Sequence, residues 1–402
     1  MTIPTGGLAL VFLGLLLVSV AGYAAAALAL QRIRAAARAA RPGALTPPVS
    51  IVKPLSGLDD ALEKNLESVY ALDYPQPERE VIFSFARRGD PAFAVARRVA
   101  DRHPETSTVF VVDAREPGGN AKVNRLVAAL RHARFGLVLM ADGNVRLHRG
   151  FLRRAVALMA TARVGLVSHL FVARGARTVG SRLESLHLNG ALRAGTAAMA
   201  GLLGMPCVVG KSILISRPAL RAIGGLEILR DYLAEDYLLG RAVAAAGYRV
   251  VLSGDEIETT EIARGLADVW KRQRRWAILR KRLGGVSYAS ELLASPLPWL
   301  AGALAASGPR PAIGAAALAL YVVRIGLEAF CALRSGASFA AVDLALCPVR
   351  DLAVAALFWA GLFGRTTVWR GRRMFVGRRT LIGRAARARF PTGRFGGIAE
   401  QN

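Results

Sequence analysis

The stretch Leu137-Val138-Leu139-Met140-Ala141-Asp142-Gly143-Asn144 is an apolar run that ends directly in an acidic turn. A short apolar run bounded by turn residues is typical of a buried strand. Similar runs lie upstream at 50–52, 81–85 and 109–112, and another lies downstream at 250–252. Five strands are therefore predicted between residues 49 and 261.

Amphipathic stretches separate these runs and predict helices over 59–70, 92–102, 121–133 and 235–246. Strands that alternate with helices along a chain indicate a mostly parallel α/β sheet. In such sheets ligands bind beyond the carboxyl ends of the strands. Functional residues are therefore expected just after the strands.

The composition indicates a membrane protein. Hydrophobic residues make up 53% of the 402 residues, the mean hydropathy is +0.35, and the apolar excess is concentrated at the two ends. The net charge of +26 comes mostly from arginine. Because basic residues flank apolar runs, this charge favours an anionic membrane surface over nucleic acid as the partner. The three cysteines have neither zinc-ligand spacing nor an even framework, so structural disulfides are not expected.

The N-terminal run from Gly7 to Leu30 is uncharged and long enough to cross a bilayer. A cleaved signal peptide is the alternative, but arginines follow the run and no Lys or Arg precedes it. Arginines on the far side place that side in the cytoplasm. We therefore expect an anchor over 1–31, a linker over 32–48 and a cytoplasmic α/β domain over 49–261, at the inner membrane of the cell.

The C-terminal third is expected to return to the membrane. Residues 262–288 are rich in Arg, Lys and Trp and suit interfacial helices, 289–364 form a membrane region, and 365–402 form a basic cytoplasmic tail. A cytoplasmic tail requires an even number of crossings after the α/β domain.

Three apolar stretches, 289–306, 313–333 and 340–363, do not give that even number directly. Prolines break the first stretch, and charged residues and Pro348 interrupt the third. One of these two is expected to be interfacial or re-entrant, and the first is favoured. Arg324 and Glu328, one helical turn apart, are expected to neutralise each other within the bilayer.

Short motifs follow one another in a suggestive order between residues 49 and 373: Val49-Ser50-Ile51-Val52-Lys53-Pro54-Leu55, Asp113-Ala114-Arg115, Asn120-Ala121-Lys122-Val123-Asn124, Ala234-Glu235-Asp236-Tyr237, the Arg-x-x-Arg-Trp of Arg272 to Trp276, and Trp369-Arg370-Gly371-Arg372-Arg373. Jointly they resemble the inverting GT-A glycosyltransferases, specifically the ceramide glucosyltransferase family and its bacterial relatives, in the family 2/21 group.

The resemblance implies a fold and an activity. The fold is a GT-A (nucleotide-diphospho-sugar transferase) α/β domain with N- and C-terminal transmembrane helices. The activity is a membrane-bound, inverting hexosyl transfer, with glucose favoured, from a UDP-sugar to a lipid hydroxyl such as that of ceramide, giving a β-glycolipid. A divalent cation, Mg²⁺ or Mn²⁺, is the implied cofactor, and nucleic acid is not an expected partner.

The resemblance also implies roles for residues. Asp236 matches the general base, which accepts the acceptor's proton during attack. Asp142 matches the metal ligand and, with Lys53, Asp113 and Lys122, the nucleotide-sugar site. The diphosphate and acceptor motif is matched by Glu235, Arg272, Arg275 and Trp276. Asn144 stands where many GT-A enzymes carry a second metal carboxylate, so Asp142 is expected to be the sole protein ligand.

Two features need separate interpretations. Gly210-Lys211-Ser212 lacks the upstream glycine of a phosphate-binding loop, so Gly210 is interpreted as a close backbone approach beside the acceptor channel. Alternative functions are a hopanoid or glycerolipid head-group glycosyltransferase and, in another class, a non-catalytic membrane protein that binds anionic lipid or nucleic acid. A processive polysaccharide synthase is disfavoured because the chain has few spans.

Overall fold

The computed structural model describes residues 5–39, 45–369 and 371–383. The chain divides into two compact units. We call Met1–Ala35, Phe171–Met205 and Glu258–Arg373 the helical unit, and Ala36–Leu170, Pro206–Ile257 and Met374–Asn402 the sheet unit. Part of the predicted basic tail, residues 384–402, lies outside the described residues.

The helices and strands follow one another along the chain as α1 (Thr5–Ala39), β1 (Val49–Pro54), α2 (Leu62–Tyr70), β2 (Arg79–Phe85), α3 (Pro91–Asp101), β3 (Ser107–Val112), α4 (Ala121–Leu130), β4 (Leu137–Ala141), β5 (Val145–Arg146), α5 (Phe151–Met159), β6 (Val164–Arg174), α6 (Val179–His187), α7 (Arg193–Gly201), β7 (Ser212–Ser216), α8 (Arg217–Ala222), α9 (Glu235–Ala245), β8 (Arg249–Thr260), α10 (Leu266–Gly284), α11 (Ser290–Ala294), α12 (Pro296–Ser307), α13 (Pro311–Arg334), α14 (Ala341–Phe363), β9 (Thr366–Trp369) and β10 (Arg372–Phe375). A π-helical turn at Leu188–Leu192 joins α6 to α7.

The sheet unit is built on an eight-stranded sheet in the order β3-β2-β1-β4-β7-β6-β8-β5. β1 pairs in parallel with β2 and β4, and β2 pairs in parallel with β3. β7 runs antiparallel to β4 and to β6. The predicted strands and helices between residues 49 and 261 are all present, and the predicted α/β class is confirmed.

Burial explains why these strands have nearly continuous apolar sequences. Every residue of β1 and β2 is buried, as is required of parallel strands covered on both faces. One core cluster joins Val52, Ile82 and Val138 of the sheet to Val123 of α4 and Val243 of α9. This packing fixes α4 and α9 relative to the carboxyl end of β4.

β6 and β7 were not predicted from the sequence. Both segments are apolar enough to be strands. β7 follows the Gly210-Lys211 turn, and its antiparallel pairing with β4 is a contact between residues far apart in the chain. The pairing sets Ser212 opposite Ala141. It therefore brings the turn before β7 to the turn after β4.

Among the described residues, two helices are long and apolar enough to cross a membrane, Gly6–Ala39 within α1 and Pro311–Arg334, which is α13. These match the predicted N-terminal anchor and the middle apolar stretch. α1 continues through residues 32–39, which were expected to belong to a linker. The expected ion pair between Arg324 and Glu328 is present, and Arg350 of α14 also binds Glu328.

α1 and α13 run in the same direction, as their contacts show. Tyr23 packs against Arg324, Gln31 lies beside Cys331, and Arg34 donates to the carbonyl oxygen of Arg334. Residue numbers on the two helices therefore increase together, so both helices begin at the same end of the helical unit.

α12 runs the opposite way. The hydroxyl of Ser19 donates to the carbonyl oxygen of Ala294, just before α12, while Gly302 within α12 faces the Phe12 ring. The break expected at Pro296 is present, because Ser295 is extended and Pro296 begins α12. The third apolar stretch is one helix despite Pro348.

Candidate active site

A lysine and a carboxylate meet at the carboxyl end of β4. Asp142 follows the strand, and Lys122 lies in the first turn of α4, whose N-terminus is capped by the side chain of Asn120. Lys122 Nζ lies 2.9 Å from Asp142 Oδ1 and 3.4 Å from Glu235 Oε1. It also donates to the carbonyl oxygen of Gly210 at 2.8 Å. One ammonium group thus joins three chain segments.

The acidic pair lies in the first turn of α9. Asp236 Oδ2 accepts a hydrogen bond of 2.8 Å from the backbone N–H of Gly210, and Asn120 Nδ2 donates to Glu235 Oε2 at 3.1 Å. A side chain at position 210 would place its Cβ 2.6 Å from Asp236 Oδ2. The close backbone approach expected at Gly210 is therefore present, and the group approached is Asp236. One small pocket is lined by Lys122, Asp142, Gly210, Glu235 and Asp236.

Burial and neighbouring charges shift the pKa values of the site carboxyl groups in opposite directions. Burial raises the pKa of both Glu235 and Asp236 above their ordinary values, with Lys122 opposing the rise. For Asp142 burial acts in the same upward direction, but Lys122 and Lys211 outweigh it and lower the pKa. Burial alone would lower the pKa of Lys122, yet Asp142 and Glu235 raise it. Neighbouring carboxyls with opposite shifts suit different tasks in catalysis.

The sequence reasoning did not include Lys211 among the site residues. Its Nζ lies 3.7 Å from Asp142 Oδ2 and donates to Asn144 Oδ1 at 2.9 Å. The signal was present in the sequence, since Lys211 directly follows Gly210. Only the antiparallel pairing of β7 with β4 brings it to Asp142.

Lys53 supports the turn after β4. Its side chain is fully buried, and its Nζ donates to the carbonyl oxygens of Asp142 at 2.8 Å and Val145 at 3.2 Å. Burial lowers the pKa of Lys53 to about 8, although Asp142 acts to raise it. The predicted nucleotide contact of Lys53 stays a prediction.

Asp113 lies at the same edge of the sheet as Asp142 but apart from it. β2 and β1 separate the ends of β3 and β4, which corresponds to three strand spacings, or roughly 14 Å. Its carboxylate binds the side chain of Arg115, at 2.9 Å to Oδ1 and 2.8 Å to Oδ2. Hydrogen bonds from Arg115 lower the pKa of Asp113 to about 2. The predicted nucleotide contact of Asp113 stays a prediction.

The residues of the Arg-x-x-Arg-Trp motif belong to the helical unit. Arg272 of α10 binds the buried Glu184 through Nε at 2.6 Å and the buried Glu261 through Nη1 at 3.0 Å. The same guanidinium lies over the Trp276 ring, and Arg275 lies over Trp369. The structure thus supports an anchoring role for Arg272, while the contacts of Arg272, Arg275 and Trp276 with diphosphate or acceptor stay predictions.

The side chains at this site fit a divalent cation in one arrangement, with a single carboxylate from the protein as its ligand. Among the described residues, no three His, Cys, Asp or Glu side chains are grouped to hold a metal ion. Asn144 stands beside Asp142 without adding a carboxylate. Mg²⁺ is commonly held by one or two carboxylates together with substrate phosphates. Asp142 fits that arrangement as a single protein ligand, in competition with Lys122 and Lys211.

Comparison with known proteins identifies relatives of this chain. The family model described as glycosyl transferase family 21 matches residues 14–382. Ceramide glucosyltransferase 1 of Caenorhabditis elegans is 28% identical over 240 residues, which cover 60% of this chain and 51% of that protein. Ceramide glucosyltransferase 3 of the same organism is 27% identical over 236 residues, covering 58% and 50%. The chain thus spans about half the length of the curated relatives it matches.

Solved structures give more distant similarities. The mannosyltransferase PcManGT from Pyrobaculum calidifontis, in complex with GDP-Man and Mn²⁺, is 21% identical, with a TM-score of 0.48 over 87% of this chain and 99% of that one. S. aureus TarS 1-349 in complex with UDP-GlcNAc is 13% identical, with a TM-score of 0.37 over 82% and 96%.

Proposed function

The chain belongs to glycosyl transferase family 21, and from that premise we propose that it transfers a hexose, with glucose first among the candidates, from a UDP-sugar to a lipid hydroxyl. Ceramide is the first acceptor to test, and the product is a β-glycolipid. The match confirms the family to which the sequence motifs pointed. Donor, acceptor and stereochemistry are part of the proposal.

One observation supports the proposal most directly. Lys122 contacts Asp142 and Glu235. The backbone of Gly210 accepts a hydrogen bond from Lys122 and donates one to Asp236. The arrangement places a cation and carboxylates in one pocket, with Lys211 beside its Asp142. Transfer from a nucleotide diphosphate needs positive charge for the leaving group and a base for the acceptor hydroxyl. Both requirements are met by the side chains of this pocket.

The proposed reaction is a single displacement. The acceptor hydroxyl oxygen forms a bond to the anomeric carbon, the bond from that carbon to the β-phosphate oxygen breaks, and UDP leaves with the electron pair. Asp236 accepts the hydroxyl proton. The ammonium groups of Lys122 and Lys211 stabilise the negative charge that develops on the diphosphate. Attack from the face opposite to UDP inverts the anomeric centre.

A divalent cation, Mg²⁺ or Mn²⁺, is proposed as the cofactor, with Asp142 as its protein ligand. When bound, it would neutralise diphosphate oxygens as a Lewis acid. Lys122 and Lys211 hold Asp142 deprotonated, because they lower its pKa. They therefore keep the ligand in the form that binds a cation.

The proposed location is the cytoplasmic face of the inner membrane. If α1 and α13 both cross the bilayer, their parallel course requires one more crossing between them, and we propose that the segment 289–307, which contains α12 antiparallel to α1, makes it. α12 by itself has 12 residues, about 18 Å, so the residues before it are part of the proposed crossing. This proposal differs from the sequence-based preference, because it makes the third stretch, α14 with its buried Asp343, Arg350 and Asp351, the interfacial one.

A cysteine pair tests this topology. Cys207, Cys331 and Cys347 are buried, so added cysteines report their own accessibility. Ser307→Cys, at the end of α12, is expected to react with a membrane-impermeant maleimide in intact cells. Ser335→Cys, after α13, is expected to react only after permeabilisation. Labelling of both positions from the same side would overturn the assignment.

A UDP-release assay tests the function. The purified chain in detergent is supplied with UDP-hexoses one at a time and a ceramide acceptor, with and without Mg²⁺ or Mn²⁺. We expect acceptor-dependent UDP release and a lipid product carrying one sugar, detected by mass spectrometry. Hopanoid and diacylglycerol acceptors run in parallel distinguish the head-group alternatives. If no donor is turned over, while anionic vesicles bind in a salt-sensitive way, the non-catalytic alternative is favoured.

A further inference from the structure

The described C-terminal segment of the sheet unit packs against the chain that leads into α9. We call residues 376–383 the clasp. Leu381 forms an antiparallel bridge with Tyr232, and Ile382 N–H donates to the carbonyl oxygen of Asp231 at 2.8 Å. The Ile382 side chain also packs on Gly119, where an added Cβ would lie 3.1 Å from its Cδ1. The clasp thus touches the segments that lead into α4 and α9, which carry Lys122 and the Glu235-Asp236 pair.

Thr380 is the point of closest attachment. Its carbonyl oxygen accepts a hydrogen bond from Leu233 N–H at 3.1 Å, and its hydroxyl oxygen accepts one from Ala234 N–H at 3.2 Å. These are consecutive amides, and Ala234 directly precedes the Glu235-Asp236 pair. The side chain of Thr380 is fully buried.

The backbone N–H of Ala234, the N-cap residue of α9, takes its acceptor from outside the helix. In a capping box a Glu or Gln side chain at the third helical position accepts this N–H, but Tyr237 stands at that position of α9. A buried N–H without a partner is costly, so a partner from elsewhere in the chain holds the segment in one conformation. Thr380 provides that partner from 146 residues away.

The clasp backbone is strained where it makes these bonds. Arg379 and Thr380 have φ values of 51° and 66°. A left-handed conformation is unfavourable for a β-branched residue and persists only where the surroundings enforce it. Such strain at a buried residue that binds the entry to α9 indicates a positioning function.

We propose that Thr380 is a positioning residue, which fixes the first turn of α9 and thereby the Asp236 carboxylate opposite Gly210. The inference rests on the proposed function insofar as Asp236 is the base. The chain of contacts is short: Thr380 holds Ala234, Asp236 follows two residues later, and Gly210 N–H fixes the carboxylate. The hydroxyl, and not only the bulk of Thr380, carries this role.

The test compares Thr380→Val, which keeps the branched shape and removes the hydroxyl, with Thr380→Ser, which keeps the hydroxyl. T380V is expected to lower kcat about tenfold with little change in the KM for donor, because a lost hydrogen bond to a buried amide has about that effect. T380S is expected to stay within about threefold of the wild type. Equal kcat values for T380V and the wild type would overturn the proposal.

A second variant separates positioning from packing. Val376 is fully buried in the clasp and is not in contact with Ala234 through any described hydrogen bond. Val376→Ala is expected to lower the melting temperature and to leave kcat within about twofold. If V376A lowers kcat as much as T380V, the clasp acts by general stability and the role given to the hydroxyl is wrong.

Hydrogen exchange gives a readout that does not depend on turnover. The amide of Ala234 is expected to exchange at least about tenfold faster in T380V than in the wild type or T380S, while the amide of Leu233, bonded to the Thr380 carbonyl oxygen, is the internal reference. If the wild type releases no UDP with any donor, the proposed function fails while this measurement still decides the contact. Unchanged exchange at the Ala234 amide contradicts the proposal whatever the activity.

Discussion

Two clusters of buried charge differ in how completely they are neutralised. In the helical unit, Arg272 and Arg264 face Glu184 and Glu261, two cations against two carboxylates. In the pocket of the sheet unit, Lys122 faces the carboxylates of Asp142, Glu235 and Asp236, while Lys211 and the buried Lys53 lie beside Asp142 and its turn. The first cluster is balanced and joins α10 to α6. In the second, the Glu235-Asp236 pair shares Lys122 with Asp142, so this pair is less fully neutralised.

This difference indicates in which cluster catalysis is expected. A balanced, hydrogen-bonded cluster stabilises one arrangement of its side chains. It has no group with a shifted pKa that could take part in proton transfer. Where several carboxylates share one cation in a buried pocket, desolvation and repulsion raise some pKa values, as at Glu235 and Asp236. Removing a charge should therefore cost activity in the sheet unit and stability in the helical unit.

The largest effect is expected for Asp236→Asn, which keeps the shape of the side chain and removes the base. Transfer should fall about a thousandfold or more, within the range for loss of a general base. Donor binding, measured by calorimetry, should be nearly unchanged. Asp268→Asn, at an exposed position on α10, is the control. Loss of donor binding in D236N would refute the role of Asp236 as base.

The balanced cluster is broken by Arg272→Met. This variant leaves the buried Glu184 and Glu261 short of a partner, and unfolding should become easier by about 3–5 kcal/mol, seen as a lower melting temperature in detergent. Lys271→Met removes an exposed ion pair on the same helix and should change little. An R272M protein that melts like the wild type would show that the two clusters do not differ as argued.

Gly210→Ala tests the close approach to Asp236. The new Cβ would lie 2.6 Å from Asp236 Oδ2, so the carboxylate must move. A shift of about 1 Å, which restores ordinary contact, should lower kcat roughly a hundredfold. Gly136→Ala, where a Cβ meets nothing within 4 Å, is the matched control in the same unit. Full activity of G210A would mean that the position of Asp236 is not critical.

The smallest effect is a change in pH dependence. A base acts when deprotonated, and the folded-state pKa of Asp236 is raised, mainly by burial. The rate should therefore be full above that raised pKa and fall about tenfold per pH unit below it. Lys122 opposes the rise, so Lys122→Met should move the midpoint of kcat against pH upward. A midpoint that stays in place or moves down contradicts the proposed electrostatics.

Much of the sheet could be predicted because the pattern of apolar and turn residues that forms it is local in the sequence. The strands of the parallel half are apolar runs with turn residues after them, and the intervening helices have one apolar face. Positions such as Asp142 and Asp236 follow from this pattern, since they lie at a strand end and a helix start. The motifs then associated Lys122 with the same site.

Other features have no local signal. Lys211 joins the site only because β7 pairs with β4 in an antiparallel register, and the burial of Lys53 under the turn after β4 is likewise a long-range contact. The packing of α1, α12 and α13 depends on which of their faces meet. An apolar composition indicates that a helix prefers lipid. It does not indicate which neighbouring helix that helix packs against.

By itself the sequence determined the α/β class, the family, and the chemical types at the candidate site, because hydrophobic periodicity and short motifs are properties of neighbouring residues. Tertiary structure alone decided which charges are balanced, which carboxyl pKa values rise, and that Thr380 holds the entry to α9. These depend on desolvation and on contacts between residues more than a hundred positions apart, which no local pattern encodes.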